Sequence, residues 1–160
     1  MLEINNTTKH RIDLKKTKYI AEEFLRVYKK AGREVSLAIV GDARMRRLNH
    51  EYRGIDKTTD VLSFPAADDL RAIEKPAGVS QARLKPDKYL GEIIINIQEA
   101  KRMGKYREMF KELGLKAADS YLFYFLLVHG LLHLAGYDDK TEKGRQEMLK
   151  RGKDFLKFIF

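Results

Sequence analysis

The chain has 160 residues, a formal net charge of +9 at pH 7 and no cysteine. This length suits one domain with a real core and is short for two, so we expect a single domain over residues 1–160. The lack of cysteine excludes a disulfide framework and thiolate ligands, so a metal site would have to use histidine, aspartate or glutamate.

The positive charge, with a pI near 9.6, indicates a polyanionic partner, with nucleic acid first and an anionic membrane second. The basic residues are spread along the chain and do not form a tail. The alternative is a Lys- and Glu-rich surface of the thermophile type, which can be basic without binding anything. No signal-peptide pattern opens the sequence, so a cytoplasmic location is the expectation.

Strand and helix patterns alternate in the first third of the chain. Leu2–Asn6 is suited to a short edge strand, and helical spacing of apolar residues predicts a helix from Lys15 to Ala31. The short apolar run Val35–Val40 predicts an interior strand. A second helix is expected to begin with Asp42 as its N-cap and to end at Gly54.

The middle of the chain predicts two further strands separated by a long connection. Asp60–Pro65 is the first of these strands, and Leu90–Ile95 is the second. Residues 66–89 contain prolines and mixed charges and predict a surface loop. Asn96 and Glu99 have the spacing of a capping box, which would open another helix.

Two helices are expected at the end of the chain. The first, Asp119–Ala135, contains the run Tyr121–Val128, which is apolar all round. A membrane span needs about 20 predominantly apolar residues, so this run predicts a buried central helix. The second, Glu142–Phe158, is amphipathic with a basic outer face.

His129 and His133 are the strongest candidates for chemistry. Residues four apart lie on the same face of a helix, so both imidazoles can reach one metal ion. The alternative for His129 is a hydrogen-bonded core histidine. Burying two imidazoles costs free energy unless both find partners, and one divalent metal ion would supply both. We therefore favour a metal site.

Asp139 is the candidate for the third ligand. Gly136 can end the helix in a left-handed turn that returns the chain to the histidines. Asp138 is a rival ligand, and Asp139 could instead cap the last helix, with Thr141 as a rival cap. The register of two histidines, a glycine and Asp139 follows the metzincin zinc signature, which favours Asp139 as a ligand.

Gly130 separates this sequence from the zinc proteases. Those enzymes place a glutamate directly after the first histidine, where it takes the proton from water on the zinc. Here that position holds glycine, and no acidic residue lies between the two histidines. A metzincin-like hydrolase of peptides or other small substrates is therefore only an alternative.

Three motifs resemble the YbeY family of bacterial rRNA-maturation endoribonucleases. Residues 129–139, HGLLHLAGYDD, match the family signature HGxLHLxGYDH at every fixed position except the last. Residues 49–65 resemble the block N-x-x-Y-R-x-x-D-x-x-T-D-V-L-S-F-P, and Leu90–Ile93 resembles the LGDI strand. The motifs occur in the family's order over most of the chain.

The resemblance implies a compact α/β (α+β) domain, with a small mixed sheet, helices around it and a buried central metal-binding helix. It implies a metal-dependent, single-strand-preferring endoribonuclease of ribosomal RNA maturation, acting near the small-subunit 3′ end and in ribosome quality control. The implied partners are RNA and the ribosomal small subunit, with no DNA and no membrane. By position, His129, His133 and Asp139 would be metal ligands, and Arg53 matches the functionally important arginine.

Asp139 departs from the family, which has histidine there. A carboxylate can bind zinc, which is the first candidate for the single divalent ion, but its negative charge favours harder metals.

Arg53 is expected to clamp a phosphate oxygen, and the alternative is a helix-end arginine over the carbonyls before Gly54. A non-catalytic ribosome-assembly factor with a structural metal is the remaining alternative, with His10 or His50 as a fourth ligand.

Overall fold

The computed structural model describes residues 1–66, 88–102, 104, 106–112, 114 and 119–160. The strands are β1 (Leu2–Asn6), β2 (Glu34–Val40), β3 (Val61–Pro65) and β4 (Tyr89–Asn96). The helices are α1 (Leu14–Val27), α2 (Asp42–Arg53), α3 (Arg107–Glu112), α4 (Asp119–Leu134) and α5 (Glu142–Ile159), with a 3₁₀ helix at Glu99–Lys101. Most of the loop predicted at residues 66–89 lies outside the described residues.

The strands form one mixed sheet in the order β1-β2-β4-β3. β1, β2 and β4 are parallel, and β3 runs antiparallel to β4 at the edge. The interior position predicted for β2 is confirmed, in agreement with its continuous apolar run. This mixed sheet with helices around it confirms the expected α/β (α+β) class.

The two faces of the sheet carry different helices. α4 packs on one face, where Leu131 and Ile93 belong to the larger core cluster together with residues of α1 and α5. α2 covers the other face, where Met45 and Leu48 meet Leu62 of β3. α4 is therefore buried between the sheet and two helices, which explains why it is apolar all round. No helix within the described ranges has the length and apolarity needed to cross a membrane.

Two predicted helix ends are wrong. α1 stops at Val27 and not at Ala31, because Tyr28 is its C-cap and Lys29 takes a left-handed φ of 55° that turns the chain. Asp42 is the first residue of α2 and not its N-cap, which is Gly41. The Asp42 carboxylate is engaged elsewhere, since it pairs with Arg102.

The predicted capping box of Asn96 and Glu99 does not form. Asn96 is the last residue of β4 and is fully buried. Its amide nitrogen donates to Asp42 Oδ1 at 2.7 Å and to Thr58 Oγ1 at 3.0 Å, and its Oδ1 accepts from the backbone N–H of Gln98 at 3.1 Å. Asn96 thus ties three chain segments together, and only a short 3₁₀ helix follows it.

Gly130 is required where α4 lies against β4. A Cβ built at this position would lie 2.7 Å from Cγ2 of Ile93, whose side chain is fully buried. We expect Gly130→Ala to lower the free energy of unfolding by about 1–3 kcal/mol through overpacking. Gly152→Ala in α5 is the matched control, because its Cβ would meet nothing closer than 3.7 Å.

Both alanines gain about 1 kcal/mol of helix propensity, so the difference between the variants isolates the contact with Ile93. Urea denaturation of the two proteins measures that difference. Equal stabilities would show that α4 and β4 can separate at little cost.

Candidate metal centre

The two histidines meet on the last turns of α4. His129 Nε2 lies 3.2 Å from His133 Nε2, as the spacing of four residues predicts. Beyond the helix the chain reverses at Gly136, which has φ of 98°, and the N–H of Tyr137 donates to the carbonyl of Leu132 at 3.0 Å. This left-handed helix end is the turn expected from the glycine.

The reversed chain brings Asp139 back to the histidines. Asp139 Oδ2 lies 3.4 Å from His129 Nε2 and 3.6 Å from His133 Nε2. The three possible ligand atoms lie within 4.8 Å of one another. Both imidazoles are partly buried, while Asp139 is at the surface, so the cluster opens toward solvent on the carboxylate side.

The protonation of the imidazoles suits cation binding. His133 Nδ1 lies 3.1 Å from the carbonyl oxygen of Tyr137, and a carbonyl can only accept, so this nitrogen carries the proton. In the neutral ring, Nε2 then directs its lone pair into the cluster. Burial and the neighbouring His133 lower the pKa of His129, which favours the neutral ring of His129. Two imidazole nitrogens and a carboxylate oxygen fit a divalent transition metal ion.

The competing assignments for the turn are resolved by side-chain contacts. Thr141 is the N-cap of α5, because its Oγ1 accepts from the backbone N–H of Gly144 at 3.0 Å. The carboxylate of Asp138 is directed to Lys140, with Oδ2 3.3 Å from Nζ. Asp139 therefore does not cap the helix, and its role as a ligand stays a prediction.

Mutations can distinguish the ligand role predicted for Asp139 from the capping role of Thr141. We expect Asp139→Asn to weaken metal binding by at least about tenfold, because an amide is a poorer ligand than a carboxylate. Its free energy of unfolding, measured in chelator, should stay at the wild-type value. Thr141→Ala should lose about 1 kcal/mol of stability and keep its metal. An Asn variant that loses stability and retains full metal content would argue for a capping role.

The cluster forms part of the wall of a cavity of about 720 Å³. The residues that line it are Arg53, Thr59, Asp60, Val61, Ser63, Pro65, His129, His133, Gly136, Tyr137, Asp138, Asp139 and Lys140. They come from the end of α2, from β3 and the segment before it, from the last turns of α4 and from the turn after it. Arg53 and Lys140 lie in this wall together with the carboxylates of Asp60, Asp138 and Asp139, so the cavity can take an anionic ligand when a cation occupies the donor cluster.

Arg53 is exposed at the last position of α2 and lines the cavity. The backbone N–H of Gly54 already donates to the carbonyl of His50 at 2.9 Å, so backbone groups provide the helix cap. No residue in the described part of the chain forms a hydrogen bond or ion pair with Arg53. The described residues thus leave its guanidinium unengaged, which favours the phosphate clamp over the helix-end alternative.

Asp60 and Ser63 line the same cavity, although their sequence context predicts only a turn and a strand. Asp60 Oδ1 accepts from the N–H of Val61 at 2.8 Å, and its Oδ2 accepts from the hydroxyl of Tyr106. Burial, followed by the charge of Asp60, raises the pKa of Tyr106. The hydroxyl of Ser63 is buried, with no partner in the described ranges. In the sequence, only the polar residues of the TDVLSFP run could have indicated that these positions line a site.

The other two described histidines lie outside the cluster. His10 Nδ1 is 3.0 Å from Lys101 Nζ, and His50 is exposed on α2. Neither joins His129, His133 and Asp139 in the described group of possible ligands. The fourth protein ligand expected of a structural metal site is therefore not supplied by His10 or His50.

Known proteins resemble this chain over most of its length. The sequence model of a family described as Endoribonuclease YbeY matches residues 3–159. A protein named endoribonuclease YbeY from Leptospira interrogans is 40% identical over 124 residues, which is 76% of this chain and 82% of the relative. One of the same name from a Geobacillus species is 40% identical over 128 residues, covering 79% and 72%.

One solved structure is also similar. The solution structure of TM1509 from Thermotoga maritima has a TM-score of 0.57 and 24% sequence identity, over 98% of this chain and 87% of that one. At this identity the likeness supports the fold alone. The family model, in contrast, spans residues 3–159 and so includes all three motifs noted above.

Proposed function

Since the chain belongs to the endoribonuclease YbeY family, we propose that it is a metal-dependent endoribonuclease that cleaves single-stranded RNA at the cavity described above. In this proposal His129, His133 and Asp139 hold one divalent ion, and Arg53 binds the phosphate. The observation that carries it is the convergence of the three ligand atoms within 4.8 Å beside a cavity that Arg53 also lines.

The metal would supply Lewis-acid polarisation of the phosphate and activation of water when bound. The two neutral imidazoles and one carboxylate leave a net positive charge on such a site, which suits an anionic substrate. Zinc is the first candidate, because imidazole nitrogens suit it. Since Asp139 replaces a neutral ligand of the family with an anion, harder ions such as manganese or magnesium are its competitors.

Arg53 supports the phosphate role through its own chemistry. Its guanidinium is planar and permanently charged, and it can donate two parallel hydrogen bonds to phosphate oxygens. Because no ion pair with described residues holds it, it can reorient as negative charge develops on the phosphate. Asp60, which accepts a hydrogen bond from the hydroxyl of Tyr106, would keep a fixed anion in the wall of the same cavity.

Gly130 supports RNA over peptides as the substrate. A glutamate general base at position 130 would need space that Ile93 occupies. Even a Cβ at this position would lie 2.7 Å from Cγ2 of Ile93. The standard route of zinc-protease hydrolysis is thus sterically disfavoured as well as lacking its base.

We further propose ribosomal RNA near the 3′ end of the small subunit as the biological substrate, with a role in ribosome quality control. The family motifs and the net charge of +9 support this proposal. Lysine and arginine side chains would hold the RNA backbone without reading its sequence, so binding should weaken steeply with salt. The ribosomal small subunit is the partner that this substrate implies.

The deciding experiment combines metal analysis with a cleavage assay. Protein purified without added metal should contain one divalent ion per chain, and it should cut single-stranded RNA while leaving duplex RNA, DNA and casein intact. Chelator should abolish cleavage, and the ion found should restore it. RNA cleavage that persists at full rate in a metal-free protein would reject the metal role, and cleavage of casein alone would reject the substrate.

A further inference from the structure

A second cation, Lys140, lies in the described wall of the cavity. It directly follows the proposed ligand Asp139, and its side chain is 86% exposed. Arg53 lies in the part of the wall that α2 and β3 form, whereas Lys140 lies in the part that the turn after α4 forms. The two cations therefore reach one cavity from different chain segments.

The backbone of Lys140 is fixed, while its ammonium group is held by a weak contact. Its backbone N–H donates to Asp138 Oδ1 at 2.6 Å, and the next residue, Thr141, is the N-cap of α5. Lys140 Nζ lies 3.3 Å from Asp138 Oδ2, and the side chain of Asp138 is 53% exposed. An ion pair between two such exposed groups contributes little to stability, because water screens both charges. The lysine can therefore exchange this carboxylate for another anion at small cost.

The charges of the described wall show what such a lysine provides. They belong to two cations and three carboxylates, namely Arg53, Lys140, Asp60, Asp138 and Asp139. With neutral imidazoles these residues leave one net negative charge, and a divalent ion on the donor cluster would reverse the sign. Without Lys140 the wall would be neutral even with the ion bound, so the lysine supplies the excess positive charge that attracts phosphate.

We propose that Lys140 is a second phosphate-binding residue, whose ammonium group leaves Asp138 and binds an RNA phosphate next to the one held at Arg53. This inference rests on the proposed function. A lysine offers three donors on a flexible stem, which suits a phosphate whose position varies. A cavity of about 720 Å³ is in the size range of sites for drug-sized ligands, which are larger than one phosphate.

The alternative is that Lys140 acts only through Asp138, by cancelling the charge of that carboxylate. The two roles differ once residue 138 is neutral. In an Asp138→Asn background, a lysine that only neutralises has no charge left to cancel, whereas a lysine that binds phosphate still contributes. Asparagine keeps an Oδ1 that can accept from the backbone N–H of Lys140, so the turn should be preserved.

The experiment is a double-mutant cycle with Lys140→Met and Asp138→Asn. Methionine keeps an unbranched apolar stem and removes the charge. Lys143→Met is the control, because Lys143 is exposed on α5 and lies outside the described cavity wall. Each protein is used as purified, with its metal content measured. Binding to a single-stranded RNA decamer is followed by fluorescence anisotropy between about 50 and 200 mM salt. A gel after each titration checks that the RNA is intact.

We expect Lys140→Met to weaken binding about three- to fivefold at the lower salt concentration, in the wild-type and the Asp138→Asn backgrounds alike. The slope of log affinity against log salt should become shallower by about 0.7 in both backgrounds, the value for one phosphate contact on a single strand. Lys143→Met should leave this slope unchanged. An effect of Lys140→Met that disappears in the Asp138→Asn background, or that Lys143→Met matches, would overturn the proposal.

The binding assay is independent of cleavage. If the wild-type protein fails to cut RNA but Lys140→Met weakens binding in both backgrounds, the proposed function fails and the phosphate contact stands. If the wild type cuts RNA and Lys140→Met changes neither affinity nor slope in the Asp138→Asn background, the phosphate contact fails and the proposed function stands.

Discussion

Replacement of His133 by alanine is expected to remove most of the bound metal and to lower the rate of RNA cleavage by more than about 100-fold. Losing a partner outside the ligand set typically costs about 10–100-fold in metal affinity or activity, and losing a ligand costs more. In the proposed site His133 would supply one of three ligand atoms, and its Nε2 is 3.2 Å from that of His129. Elemental analysis and a single-stranded RNA cleavage assay on the same preparation measure both effects.

His50→Ala is the control for this prediction. His50 is an exposed histidine of α2 that lies outside the group of possible ligands. Its loss should leave metal content and cleavage at wild-type levels. The metal-site hypothesis fails if His133→Ala also keeps its metal and cuts RNA normally.

Replacement of Arg53 by alanine is expected to lower cleavage by about 100- to 1000-fold without changing metal content. This is the usual effect of removing one group that stabilises charge in a transition state. Arg53 is exposed and forms no ion pair with the described residues, so the fold should not depend on it. Arg53→Lys should recover only part of the activity, because an ammonium cannot form the paired hydrogen bonds of a guanidinium.

The control for Arg53 is Arg47→Ala on the same helix. Arg47 is exposed and does not line the cavity, so its removal changes the net charge by the same amount away from the site. We expect a small loss of RNA affinity at low salt and normal turnover. Equal losses in the two variants would assign Arg53 to general attraction of RNA, and wild-type cleavage by Arg53→Glu would remove it from the mechanism.

Most of the secondary structure could be predicted because its signals are local. The apolar run of β2 and the all-apolar part of α4 directly indicate that these elements are buried. The predicted bounds of α4 and α5 differ from the observed ones by a single residue at the C-terminal end of each helix. The YbeY family expected from the three motifs is confirmed, and with it the endoribonuclease class.

Two of the three errors, those at Asp42 and Asn96, occurred where a polar side chain had two possible uses, and the third was the end of α1. Asp42 and Asn96 both have the chemistry of helix caps, and both are used instead in a network between chain segments, where Asn96 donates to Asp42 at 2.7 Å. Caps are predicted from the local sequence, and a partner more than fifty residues away leaves no local signal. The same ambiguity applied to Asp139, where the contact of Thr141 with Gly144 decided the cap.

By itself the sequence determined the histidine pair and its helix, because a period of 3.6 residues sets which side chains share a face. The tertiary structure alone decided what surrounds that pair. It placed Arg53, Asp60 and Ser63 around one cavity with the histidines, and it showed that Gly130 is the point where α4 meets Ile93. These neighbours come from α2, β3 and β4, whose meeting depends on the sheet order, and sheet order follows from packing of the whole chain.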